Sequence, residues 1–201
     1  MTLILTDGSA IFGYSLPLDR MPDLMSAFLR KYPDTVNVEI LGRELAQGDY
    51  EQSAIPGFIN AVCRWGDYAG IAARVLNQNP VSEIRLAFKT AAEHLAEDPP
   101  ATGRALAEVN TVRGLGTPSF ASKHLRFLAP HACPVFDSIL RDVLPYSFDP
   151  DGYAVFAADC HRLAATLSER GISNPYPLRR DRWAAADVEA SLFCHVNGWL
   201  Q

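Results

Sequence analysis

From about Pro56 onward, apolar residues recur every three to four positions, and proline and glycine repeatedly cut that pattern into short segments. A chain patterned this way cannot hide its apolar side chains in an extended sheet; it has to pack helix against helix. Phe58, Ile59, Val62, Cys63 and Trp65 mark one stripe, interrupted at Gly66-Asp67. Ile71, Ala72, Val75 and Leu76 mark the next, which Pro80 ends, and Ile84, Phe88, Ala91, Ala92 and Leu95 follow until Asp98-Pro99-Pro100. A short helix around Leu106 and Val109, one over 118–128, one starting near Asp137, one over 153–168 and one over 184–196 complete the series. Before Pro56 the pattern is weaker. Asp7-Gly8 between Leu3-Ile4-Leu5 and Ala10-Ile11-Phe12 predicts a hairpin. A helical stripe follows Pro22, and Val36, Val38 and Ile40 alternate as a short strand would in a turn-rich stretch over 33–53. The expected fold is mainly α: a compact bundle of seven to nine helices with a small N-terminal β element. Residues 1–55 form an α+β segment packing on a helical domain over 56–201.

The 201 residues are 48% hydrophobic and 20% charged, enough apolar content for a real core. Lys and Arg total 18 against 23 Asp and Glu, a net charge of −5. That excludes a polycation coating nucleic acid through bulk charge, but not a local basic face. No basic leader precedes an apolar run and no stretch approaches membrane-spanning length, so a soluble cytoplasmic monomer is expected. Cys63, Cys133, Cys160 and Cys194 form no CxxC pair and read as reduced, buried thiols. Cys160-His161, Cys194-His195 and His131-x-Cys133 match no recurrent zinc spacing, so no metal and no cofactor is expected.

Residues 106–128 carry the most information. They read as helix, tight turn and helix, with Gly114-Leu115-Gly116 at the turn. Glycine admits positive φ and close backbone approach. Thr117 suits an N-cap, Pro118 the first helical position, and Leu115 the groove between the helices. Such a turn aims backbone N–H groups outward, where a phosphate can sit, although a plain αα-corner has the same signature. No Asp or Glu occurs in the 28 residues from Val109 to Phe136, which contain Arg113, Lys123 and Arg126. Ser119, Lys123 and Arg126 share one helical face, a candidate basic surface, with Ala121, Leu125 and Leu128 opposite. Arg179-Arg180-Asp181-Arg182 is a second basic knot. Asp137 ends the acid-free window as a candidate N-cap, where the helix dipole and N–H donors favour a carboxylate.

These residues resemble the helix-hairpin-helix DNA glycosylase superfamily, in particular its 8-oxoguanine branch. The family has Gly-hydrophobic-Gly, a helix, and an essential Asp about 21 residues on; here Asp137 stands 21 positions after Gly116. Ala121-Ser122 with Leu125-Arg126 is similar to the corresponding helix of archaeal-type members, and Val75-Leu76-Asn77-Gln78-Asn79 to the family's Gln/Asn helix end. The resemblance covers roughly residues 57–145. It implies a DNA-repair enzyme that flips and excises a modified base, such as oxidised guanine, from duplex DNA. Asp137 would stabilise the cationic sugar, and Arg113, Gly114, Gly116, Thr117, Ser119 and Arg126 would hold the backbone. Gln78 and Asn79 would fill the gap left by the flipped nucleotide. Trp65, Phe120 or Trp183 would stack on the base or else pack the core. Two departures stand out. Pro118 or Ser119 occupies the slot of the family's nucleophilic lysine, leaving Lys123, one turn further, as the candidate for base excision with lyase activity. About 35 residues separate the Gln-Asn element from the turn, fewer than the family has. The alternative is a catalytically silent DNA- or protein-binding module on the same fold, and a third reading is a helical protein–protein adaptor.

Overall fold

The computed structural model describes residues 4–5, 8–11, 14–116, 118–179 and 182–199. The chain opens with three short antiparallel strands, β1 (Ile4–Leu5), β2 (Gly8–Ile11) and β3 (Tyr14–Pro17), ordered β1-β2-β3. Ile4 pairs with Ala10 and Ile11 with Tyr14. Asp7, Phe12 and Thr117 lie outside the described residues, as do Arg180 and Asp181 of the second basic knot.

Ten α-helices follow among the described residues. The first five are α1 (Met21–Lys31), α2 (Thr35–Gln47), α3 (Ile55–Trp65), α4 (Gly70–Gln78) and α5 (Val81–Leu95). The rest are α6 (Thr102–Asn110), α7 (Ser119–Leu128), α8 (Ser138–Val143), α9 (Pro150–Glu169) and α10 (Ala185–Val196). No described helix is long and apolar enough to cross a membrane. One apolar core runs unbroken from Leu18 to Cys194, so α1 and α2 share it with the later helices. In it α1 lies along α10, α2 along α7 and α3, α5 along α6, and α9 against both α6 and α10. All four cysteines are buried free thiols.

The structure corrects the expectation for 33–53. Val36, Val38 and Ile40 do not form a strand; they belong to α2. Its buried positions are Thr35, Val38, Glu39, Gly42 and Leu45, a helical stripe whose period is hidden because three of the five are not apolar. Gly42 is needed where α2 meets α7: a Cβ there would stand 2.2 Å from the Phe127 carbonyl oxygen.

A second correction concerns α7. It was expected to show a basic face to solvent, yet every residue from Phe120 to Phe127 is buried. The face carrying Lys123 and Arg126 turns inward because α2, α3 and α6 pack around the helix. Arg126 is 0% exposed. Its guanidinium lies over the rings of Phe127 (4.4 Å) and Trp65 (5.5 Å), with the nearest carboxylate oxygen, on Glu39, at 3.8 Å. Arg179 of the basic knot is buried too, pairing with Glu39 and Asp187.

Candidate active site

The turn between α6 and α7 is built from its glycines outward. Gly114 and Gly116 have φ of 79° and 83°, the left-handed region that favours glycine. Leu115, between them, is buried as expected. The C-terminal end of α4 holds the turn. The Asn79 amide accepts from the Arg113 N–H (3.0 Å) and donates to the Arg113 carbonyl (2.9 Å) and to that of Val75 (2.8 Å). Arg74 Nε donates to the Gly114 carbonyl at 2.8 Å. Asn79 is buried with its amide fully engaged, which corrects its expected place as a DNA-gap residue. Gln78 is exposed and lies against the turn: a Cβ on Gly114 would come within 2.7 Å of its Oε1. Arg113 and Gly116 are also exposed.

Lys123 stands one helical turn after the start of α7, four residues beyond Ser119. Lys123 is 8% exposed, and its Nζ donates to Ser119 Oγ at 3.1 Å and stands 4.9 Å from the Phe120 ring centre. Gly66 leaves room for its stem, since a Cβ there would lie 3.1 Å from Lys123 Cδ. Burial lowers the pKa of the Lys123 amine, opposed by the negative fields of Asp137 and Glu189.

Asp137 N-caps α8. Its Oδ1 accepts from the N–H groups of Ile139 (3.0 Å) and Leu140 (3.1 Å), as its position before an apolar run predicts. Lys123 and Asp137 line the same pocket, of about 190 Å³, although they come from different elements. Phe28, Tyr32, Trp65 and Phe193 supply aromatic walls: Tyr32 has its ring centre 4.9 Å from that of Phe28, 5.4 Å from Trp65 and 6.5 Å from Phe193. Phe120 lies beneath Lys123, and Trp183 is elsewhere, donating from its indole to the Ile172 carbonyl.

Glu189 of α10 also lines the pocket and is 3% exposed. Burial pushes its carboxyl up to about 8, against the pull of Arg126, so it is predominantly neutral at pH 7. Sequence reasoning missed Glu189 and the Tyr32 and Phe193 walls. A signal did exist: α10 is apolar nearly all round, so an acid inside it has to be buried.

A larger cavity, about 630 Å³, lies between α6 and α9 and is lined mostly by alanine and proline. Its arginines, Arg104 and Arg162, already pair with Glu97 and Asp159. Size alone favours it, but the small pocket holds a buried amine beside two carboxyl groups, an arrangement suited to proton and covalent chemistry. Among the described residues no cluster of three or more His, Cys, Asp or Glu is arranged to hold a metal. No family model, curated protein or solved structure matches this chain.

Proposed function

We propose that the protein is a DNA N-glycosylase-like enzyme that takes an extruded, modified base, with oxidised guanine the first candidate, into the aromatic-walled pocket. The observation that carries this reading is the convergence of Lys123, on the helix that follows the glycine turn, and Asp137 on one ring-sized pocket. The aromatic wall formed by Tyr32, Trp65 and Phe193 suits a flat heterocycle. Exposed Arg113, Gly116 and Gln78, with half-buried Gly114, are the surface offered to the DNA backbone, while Ser119 holds the Lys123 amine.

In the reaction, the neutral Lys123 amine attacks C1′ of the sugar and the glycosidic electron pair leaves with the base. The Asp137 carboxylate faces the positive charge that develops on the sugar. One proton of the secondary ammonium so formed ends on the departed base, and the freed nitrogen lone pair then expels the ring oxygen O4′, which takes the nitrogen's remaining proton, leaving an imine between Lys123 and the opened sugar. That imine is the species borohydride reduces, and β-elimination from it nicks the strand.

A silent binding module is the second reading. It is favoured by the Lys123 hydrogen bond going to Ser119, and by Asn79 and Arg126 being held inside the protein. Borohydride trapping on duplexes carrying an abasic site, uracil or 8-oxoguanine separates the two. The expected result is base release and a covalent adduct, with the adduct lost in Lys123→Gln and base release lowered about 10²-fold or more in Asp137→Asn. Salt-dependent DNA binding without base release or adduct establishes the silent module instead.

A further inference from the structure

Glu189 also lines the pocket, and neither the attack by Lys123 nor the charge stabilisation by Asp137 uses it. Its Oε2 accepts a long hydrogen bond from the Val135 N–H (3.3 Å), and among the described residues Oε1 receives none. Beneath the pocket lies Arg126, whose three guanidinium nitrogens find no hydrogen-bond acceptor in the described chain. That cation is within electrostatic reach of Glu189 and is buried with it. A carboxyl in these surroundings can hold a proton at rest and release it without stranding a bare anion, because the waiting guanidinium stabilises the carboxylate that remains.

We propose that Glu189 is the proton carrier of the site, protonating the base as it departs and then recovering a proton from the Lys123 nitrogen. The inference rests on the glycosylase reading and completes its proton balance. As the Lys123 lone pair forms the bond to C1′, the glycosidic pair passes to the base nitrogen, which takes the Glu189 proton. The base leaves neutral, and Lys123 is a secondary ammonium on C1′. The Glu189 carboxylate removes one proton from that nitrogen, leaving a neutral amine and a neutral carboxyl. Asp137 faces the charge that develops on the sugar, so one side chain handles charge and the other handles protons.

The groups facing Glu189 set the pH behaviour. Lys123 and Arg126 face it from α7, and Asp137 from the cap of α8. Tyr32 after α1, Tyr153 and Cys160 on α9, and Cys194 on α10 itself lie within its field. The phenols and thiols are all held neutral by burial, so their charges do not change across the working range. Single-turnover base release should therefore rise with pH as Lys123 deprotonates and fall as Glu189 ionises near pH 8.

The test is Glu189→Gln, an isostere of the neutral carboxyl, with its melting temperature at pH 7 compared with wild type to verify folding. On the duplex the wild type cleaves, base release should drop about 10²-fold and the alkaline limb of the pH profile should vanish. Borohydride trapping on a preformed abasic site, which has no base to protonate, should fall far less. Equal losses in both assays would mean Glu189 only shapes the pocket, and unchanged base release with an unchanged profile would also overturn the proposal while leaving the glycosylase reading intact. If the wild type releases base from none of the duplexes, the glycosylase reading itself fails and this assignment with it.

Discussion

Asn79 places both ends of its amide on backbone groups, and that makes it a bolt between α4 and the α6–α7 turn. Replacing it by alanine takes the partner from the Arg113 N–H and carbonyl, part-buried hydrogen bonds that contribute about 0.5–1.5 kcal/mol each. We expect Asn79→Ala to lower the denaturant midpoint accordingly, with Asn79→Asp, which keeps the acceptor and loses the donors, falling between. The cap that Asp137 makes and the role in base release proposed for it can be separated by substitution. Serine is as good an N-cap as aspartate but has no charge. Asp137→Ser should keep stability to within about 0.5 kcal/mol of wild type while losing base release, whereas Asp137→Ala should also lose about 1 kcal/mol of stability. Equal stability of the Ser and Ala variants would show that the cap of α8 contributes nothing.

Helix α2 shows how an element can be invisible to periodicity and still be required. Its buried stripe includes Thr35, whose hydroxyl accepts from the Trp65 indole at 2.9 Å, and Glu39, which takes the Arg179 guanidinium and the Tyr176 hydroxyl. Polar residues at core positions erase the apolar signal because each is matched by a partner distant in sequence. Gly42 erases it again, since it is there for the close approach of two backbones. A methyl group on Gly42 meets backbone rather than a yielding side-chain tip. Gly42→Ala should therefore destabilise the protein by about 1–3 kcal/mol, read as a lowered denaturant midpoint. By contrast, α4, α5, α9 and α10 were legible, because their buried faces are overwhelmingly apolar. Helix α7 was legible as a helix and misread as a surface. Spacing shows which residues share a face; it does not show which faces other helices cover.

At the scale of the whole molecule, two buried groups bias the response to pH in opposite directions. His124 is fully enclosed, its Nδ1 paired with the Phe120 carbonyl and its ring between those of Phe58 and Phe88; burial lowers its pKa to about 4. The unfolded chain takes up that proton near pH 6.5 and the folded chain does not. Stability is therefore lost as pH falls from about 6.5 toward 4, by on the order of 3 kcal/mol for this group. Glu189 has the opposite sign. Its folded pKa is raised, so its contribution is full below about pH 4.5 and is lost as pH rises toward 8. Unfolding free energies of wild type and Glu189→Gln across pH 5–9 should diverge, the variant gaining relative to wild type on the alkaline side. Parallel curves would place the Glu189 pKa at its ordinary value.

The sequence by itself determined that the chain is a helical bundle, where most helices after Pro56 begin and end, that a glycine turn joins α6 to α7, and that Asp137 caps α8. These are local matters: apolar period, breakers and caps act over a few residues. Only the tertiary structure decided that Lys123 meets Asp137 in one pocket, that Tyr32, Phe193 and Glu189 line it, and that Arg126 is buried beneath it. Those residues come from the end of α1, from α7, from the cap of α8 and from α10, far apart along the chain. Their meeting depends on how whole helices stack, and the stacking is set by the summed burial of the core and its long-range ion pairs rather than by any short segment.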